Sequence, residues 1–401
     1  MGIVSSYCIT AMVIAFAAPP KSDEFHEFCD TFYSDPSVIT VERDGDVVDR
    51  IPCERIPLDF PDLAGRGEGH VALASNGDIW AAVGVTIQGK GPARLFHSTD
   101  EGRTWTSKIL SPTEDGTRMV GFTVLKDDTM LMVLCRRCED IEILASKDMG
   151  KTWNLATTLS GAPLKCIGEG TESLTQLSDG RVLFPVARFV HPGEDLVLDK
   201  RIVLHSIYAS SDGGKTFPVA YSTFDDGLEA HVLELKSGRL LCAFRFQRSR
   251  LSDETVEAIE ERGGSTTADK HFVFKHVFLG DSDDGGVTWK NFRPLRDEKG
   301  QALLRFGECY GRLVQVPDGR IVLVHDKRYP YHKGEGRGRV SRDGGQTWGR
   351  EIYHVSMGHG YPSSVVLKDG TIVTVTGNGI STRFGRPKGP QTAHVIRWKL
   401  P

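Results

Sequence analysis

The chain has 401 residues, of which 39% are hydrophobic and 44 are glycine, and its formal net charge is -4. That length and apolar content suffice for a large core, and a closed all-β architecture holds such a chain as one domain. The near-neutral balance, with no long basic run, excludes nucleic acid and anionic membrane surfaces as expected partners.

The first segment is the short apolar run from Ile9 to Ala18, followed by Pro19-Pro20-Lys21. Ala15-Phe16-Ala17 fits a small-x-small cleavage site, although no Lys or Arg precedes the run. The run is too short to span a membrane. Residues 1–36 are therefore read as an N-terminal lead, and 37–401 as a single folded unit. If the run is a signal peptide, the protein is secreted or periplasmic; otherwise it is cytoplasmic. The eight cysteines do not decide between these. Cys135-x-x-Cys138 lacks the second pair or the His partners that a zinc site needs. No metal, no cofactor and a monomeric state are expected.

After an early strand at Ser37–Val41, two motifs alternate along the chain. One is a hairpin, an apolar strand followed by an Asn/Asp-Gly type of turn and a second apolar strand. Its copies turn at Asn76-Gly77, Asp127-Asp128, Asp179-Gly180, Ser237-Gly238, Asp318-Gly319 and Asp369-Gly370. Such a turn between alternating apolar runs is a strong hairpin signal. The other motif is Ser-x-Asp-x-Gly-x-Thr followed by Trp or Phe. It occurs five times, ending at Trp105, Trp153, Phe217, Trp289 and Trp348.

The chemistry of this second motif is structural. The Asp carboxylate accepts backbone N–H groups just ahead of it. The Gly supplies a positive φ, and the aromatic ring is expected to plug the seam between neighbouring sheets. Asp281-Ser-Asp283-Asp-Gly285 has the start of a calcium loop but lacks the Glu that closes one, so it is read as the same turn. Six hairpins, five with an anchored turn, predict four-stranded units arranged as a six-bladed β-propeller. The early strand is expected to pair with the last blade and close the ring. The only helix expected lies near Ser252–Arg262, in a long insertion after blade four.

Over roughly residues 38–400 the chain resembles the sialidase superfamily of Asp-box, or neuraminidase-repeat, propellers. The sharper likeness is local. Glu229-Ala-His-Val-Leu-Glu-Leu-Lys-Ser-Gly-Arg-Leu-Leu-Cys-Ala-Phe-Arg245 is similar to the sialidase segment carrying a catalytic Glu and a substrate-binding Arg. The segment beginning Gly360-Tyr361-Pro is similar to the one carrying a nucleophilic Tyr. The resemblance implies that three arginines hold the sugar carboxylate, that the Glu activates the Tyr, and that a mobile Asp protonates the leaving oxygen. The chain departs from this pattern twice. Glu68-Gly-His70-Val71 stands where the family has Arg-Ile-Pro, and Arg55-Ile56-Pro57 lies about twenty residues before Asn76-Gly77, roughly twice the spacing the resemblance implies. The loop Gly84–Ala93, where the acid is expected, contains no Asp or Glu. Arg312, Arg328 and Arg337 compete for the place of the third arginine.

In a propeller the starts of the inner strands surround one mouth of the axis. Here they bring Glu68 and His70, Glu169 and Glu172, Glu229 and His231, Glu308, Tyr310 and Arg312, and His359 and Tyr361. Arg188, Arg245 and Arg248 follow on partner strands, and the run His325–His332 leads over the same area. Polar groups repeated at equivalent places argue for a shared cavity. The expected catalytic set is Tyr361 as nucleophile, Glu229 as its base, and His70 in place of the missing acid. The expected substrate contacts are Arg245, Arg312, Arg188, Glu172, His231, Tyr310 and His359. These residues point to a sialidase-like, exo-acting glycoside hydrolase on an acidic or branched carbohydrate. The alternatives are a propeller-type lyase on uronic-acid glycans and a carbohydrate-binding propeller without catalysis.

Overall fold

A computed structural model describes residues 27–28, 30–60, 67–85, 93–110, 118–136, 140–160, 166–167, 173–190, 202–328, 334–358, 360–377 and 393–401. The chain begins with a long hairpin, β1 (Val38–Arg43) and β2 (Asp46–Pro57). It then runs through four antiparallel sheets. The first comprises β3 (Gly67–Leu73), β4 (Ile79–Val85), β5 (Arg94–Ser98) and β6 (Thr106–Ile109). The second comprises β7 (Arg118–Val124), β8 (Met130–Arg136), β9 (Asp140–Ser146) and β10 (Asn154–Ser160). In the third, the short β11 (Cys166–Ile167) and β12 (Thr175–Gln176) both pair with β13 (Val182–Val190), followed by β14 (Ile202–Ser210) and β15 (Val219–Ser222). The fourth comprises β16 (Gly227–Glu234), β17 (Leu240–Arg248), β18 (Phe274–Ser282) and β19 (Lys290–Pro294).

The remaining strands form one nine-stranded sheet. β20 (Glu308–Gln315), β21 (Ile321–Lys327), β22 (Glu335–Ser341) and β23 (Ile352–Met357) lead into the β1–β2 hairpin. That hairpin continues into β26 (Ala393–Trp398), β25 (Ile372–Gly377) and β24 (Ser363–Val366). First strands pack on first strands, with β3 against both β7 and β24, and β20 against both β16 and β24. The fold is thus an all-β, propeller-like ring of antiparallel, mostly four-stranded sheets.

The anchored turns hold the seams. In the first copy Ser98 Oγ donates to Asp100 Oδ1 at 2.8 Å and accepts the Gly102 N–H at 2.8 Å, while Thr104 Oγ1 donates to Asp100 Oδ2 at 2.7 Å. The same bonds recur at Asp148, Asp212, Asp284 and Asp343. Trp105 packs with Val373 and Val375 of the nine-stranded sheet, and Trp348 with Leu241 and Leu279 of the fourth. Each ring therefore seals its own sheet to the preceding one by burying apolar area. The seam between β20–β23 and β24–β26 has no such turn. It is filled by Trp398, Tyr353 and the hairpin side chains Ile39, Val41 and Ile51. The carboxylate of Asp281 is taken by Arg239 and Arg293, as expected of a turn rather than a calcium loop.

Two expectations need correction. The early strand does not pair with the last one. β1 pairs with β23 and β2, and it is β2 that pairs with β26. β2, at twelve residues, is twice the length of β1 and reaches β26 through Cys53–Pro57, and Arg55, on β2, donates to the backbone carbonyls of Pro36, Val38 and Val355. Second, the insertion lies within the fourth sheet, between β17 and β18. Its helix is one short element, Val256–Glu261, capped by Thr255, whose hydroxyl accepts the Ala258 N–H.

Candidate active site

Two of the inner strands, β16 and β20, begin with an irregularity in their pairing. The β16–β17 register shifts between Leu228 and His231, and the β20–β21 register between Cys309 and Arg312. A bulge of this kind adds one unpaired residue and re-aims it. The residues so placed are Glu229 and Tyr310, with φ of 51° and 55°. Tyr361, just before β24, has φ of 50°. Left-handed backbone costs an ordinary residue about 1–2 kcal/mol, and such strain clusters where function demands it. Gly360 has no alternative. A Cβ there would stand 2.2 Å from the Gly377 carbonyl oxygen, where the ring closes against β3.

The centre of the cluster is a carboxylate flanked by two guanidiniums. Arg245 Nη1 donates to Glu229 Oε1 at 2.7 Å, and Arg328 Nη1 lies 3.6 Å from the same oxygen. The Arg328 guanidinium sits over the Tyr361 ring, 4.6 Å from its centre. Asp326 fixes both partners. It accepts Arg328 Nη2 at 3.2 Å and the Gly360 and Tyr361 N–H groups at 3.2 and 3.3 Å. All of these side chains are buried or nearly so. Burial opposes the Arg328 charge, but Tyr361, Glu229, Cys309 and Asp326 together hold its pKa well above the ordinary value. Lys275 approaches the same group, its pKa lowered by burial, Arg245 and Arg328.

Across the mouth, Glu68 is fully buried and its Oε1 accepts Arg118 Nη2 at 2.6 Å. The second oxygen of Glu68 and Nε2 of His70 have no hydrogen-bond partner among the described residues. Burial, with Arg312 and Arg118 nearby, lowers the His70 pKa to about 3. His70 is therefore a neutral imidazole at physiological pH. Arg312 stacks on Tyr310, 3.9 Å from the ring centre, and donates to the Glu229 carbonyl at 3.2 Å. The Tyr310 and Tyr361 rings meet edge to face at 4.6 Å.

Tyr361, Glu229, Arg245, Arg312 and Tyr310 thus come together, and His70 stands within the field of Arg312. Other candidates are engaged elsewhere. His231 Nδ1 accepts the Leu313 N–H at 3.0 Å and braces β16 to β20, with a pKa lowered to about 3 by burial and Arg312. Glu308 faces Arg337 at 3.4 Å, and Arg337 is bound to Glu335 as well. Arg248 is taken by Glu254 of the insertion and lies over Phe274. Of Arg188 only the backbone on β13 is described, paired with Ile167 and Leu204. Glu172 and His359, and the loop residues Tyr331 and His332, lie outside the described residues.

Sequence reasoning left Arg328 undecided among three arginines and missed Arg118 and Asp326. A signal was available for the ring itself. Glu68, Glu229, Tyr310 and Tyr361 each stand nine residues before the glycine of the next hairpin turn, at Gly77, Gly238, Gly319 and Gly370. Arg328 has no such mark, because it follows β21 and reaches the mouth from the partner strand. Among the described residues no three His, Cys, Asp or Glu side chains group to hold a metal ion. No described helix is long and apolar enough to cross a membrane.

No family profile and no curated sequence relative matches the chain. Solved structures do. A protein of unknown function from Dyadobacter fermentans is similar over 90% of this chain and 100% of its own, with TM-score 0.61 and 16% identity. A Hadza microbial sialidase matches 89% of this chain and 71% of its own, with TM-score 0.59 and 15% identity. An α-L-arabinofuranosidase from Fusarium graminearum matches 86% of this chain and 97% of its own, with TM-score 0.59 and 12% identity. At such identities the likeness speaks to the fold. These named neighbours include glycoside hydrolases of more than one specificity.

Proposed function

We propose that the chain is a sialidase-like, exo-acting glycoside hydrolase for a carboxylate-bearing sugar. The observation that carries this reading is Arg328 reaching both Tyr361 and Glu229, with Arg245 on the same carboxylate. We read the nine-stranded sheet as two blades joined by the β1–β2 hairpin, which makes a six-bladed propeller of residues 37–401 with Asp-box turns. In this reading Tyr361 attacks the anomeric carbon and Glu229 takes the phenol proton. A neutral Tyr nucleophile avoids the repulsion that a carboxylate would feel beside an anionic sugar. Arg245 and Arg328 hold the sugar carboxylate, because guanidinium forks match it bidentately. Arg312 braces Tyr310 rather than serving as the third clamp.

His70, neutral at working pH, offers the leaving oxygen a hydrogen bond but no imidazolium proton. Turnover is therefore fastest on sugars whose leaving group needs no protonation, such as aryl glycosides. The test is hydrolysis of aryl glycosides of sialic, glucuronic and galacturonic acids by the wild type and by Tyr361→Phe. Full retention of turnover in the variant on every substrate that the wild type cleaves sinks the nucleophile assignment.

The missing acid carboxylate in the loop of residues 84–93 favours one second reading, a lyase on uronic-acid chains. There Arg245 neutralises the carboxylate, and Tyr361 or a His removes the C5 proton and protonates the leaving oxygen as its bond to the sugar breaks. An unsaturated product absorbing in the near ultraviolet distinguishes it from hydrolysis.

A further inference from the structure

Tyr310 has a structural cost with no return inside the described protein. It is fully buried, yet its hydroxyl has no hydrogen-bond partner among the described residues. A buried hydroxyl left without a partner carries an uncompensated desolvation cost. Its backbone is left-handed, with φ of 55°, a further penalty. The ring is nonetheless clamped on two sides, by the Arg312 guanidinium on one face and by Tyr361 edge-on. Tyr310 also occupies in its inner strand the place that Glu229 has in the preceding one and Tyr361 in the following one. A packing tyrosine needs none of this, since Phe would fill the same space.

We propose that Tyr310 is a substrate-binding residue of this site, a neutral phenol donor that an acceptor oxygen of the sugar, close to the anomeric carbon held at Tyr361, must satisfy. The inference rests on the carbohydrate reading above and deepens it, from a site that neutralises an anion to one that also demands a hydrogen-bond acceptor at one position. The electrostatics suit the role. Burial raises the Tyr310 pKa, Arg312 opposes this, and Glu68, Glu229 and Asp326 add to it. The phenol stays protonated at any working pH, so it donates and does not compete with Tyr361 as nucleophile. A site built around such a donor rejects ligands that lack the matching oxygen.

The experiment uses Tyr310→Phe and the wild type, with two readouts. The first is the melting temperature without sugar. Removal of an unpartnered buried hydroxyl leaves it equal or higher. The second is binding of sialic, glucuronic and galacturonic acids by calorimetry, together with kcat and KM on their aryl glycosides. The expected result is binding weakened about tenfold or more for the sugar that the wild type prefers, with melting unchanged or raised. A clear fall in melting temperature means that the hydroxyl has a structural partner, and it overturns the proposal. Unchanged binding and kcat/KM overturn it too, while leaving the hydrolase reading intact. If the wild type binds a sugar acid through Tyr310 but cleaves none, the hydrolase reading falls and the role of Tyr310 stands. If the wild type binds none of the three, both fall.

Discussion

The Arg328 guanidinium lies 4.6 Å from the centre of the Tyr361 ring and 3.6 Å from the Glu229 carboxylate. One cation thus links a phenol from the last inner strand to a carboxylate two inner strands earlier. The two groups are held in place by the same buried guanidinium.

Loss of the Tyr361 hydroxyl is expected to abolish chemistry without loss of fold. Tyr361→Phe keeps the ring that faces Tyr310 and Arg328. Its kcat on an aryl glycoside should fall to the background rate, because the attacking oxygen is gone. Glu229→Gln should lose about a thousandfold, within the range for removal of a positioned proton-transfer group. Steady-state kinetics alongside thermal melting checks both, and a matching drop in melting temperature would indicate a structural role instead.

Arg245 should matter to both stability and substrate choice. Arg245→Met removes one partner of a buried ion pair, a change that costs about 3–5 kcal/mol. Urea unfolding measures it. On a carboxylate-bearing sugar KM should rise at least tenfold, whereas Arg245→Lys, which keeps the charge but loses the fork, should fall between wild type and Met.

The anchored turns predict a specific acid limb. Asp100 has its pKa lowered to about 2 from 3.8, first by the Thr104 N–H, with burial opposing and the Thr104 and Ser98 hydroxyls and the Arg103 N–H adding. Asp284 is also lowered to about 2, first by the Thr288 hydroxyl. Because the folded values are depressed, this stability is present above the unfolded value near 3.8 and is lost as pH falls toward 2. Melting temperature followed from pH 5 to pH 2 should drop across that window. In Asp100→Asn the neutral-pH value should already be lower and the acid drop shallower.

Asp226 should act in the opposite sense. Burial raises its pKa to about 6, with Arg248 opposing and Asp225 adding. A raised folded value means stability that is complete at acid pH and is lost as pH rises through about 6. Asp226→Asn should therefore melt above the wild type at pH 8 and level with it near pH 4. An equal offset at both pH values would rule out the titration.

Much of the fold was legible because its signals are local. An Asp-Gly between apolar runs, or Ser-x-Asp-x-Gly-x-Thr-Trp, carries its own hydrogen bonds within a few residues, as Ser98, Asp100, Gly102 and Thr104 illustrate. The positions of Glu229 and Tyr361 at strand starts carry a local mark for a related reason, since each stands nine residues before the glycine of such a turn. Ring closure was not local. Whether Ser37–Val41 or the following strand met β26 depended on register against Arg397 and Trp398, which pair with Glu54 and Cys53 from the opposite end of the chain. Nor was the sorting of arginines. Arg312, Arg328 and Arg337 look alike in sequence, and only the folded ring sends Arg312 to Tyr310, Arg337 to Glu335 and Arg328 to Tyr361. The sequence by itself thus determined the repeating sheets and the polar ring at their starts, through turn chemistry and strand alternation. Tertiary structure alone decided which charges pair, because a buried guanidinium takes the partner that neighbouring sheets bring within reach, and chain order carries no record of that distance.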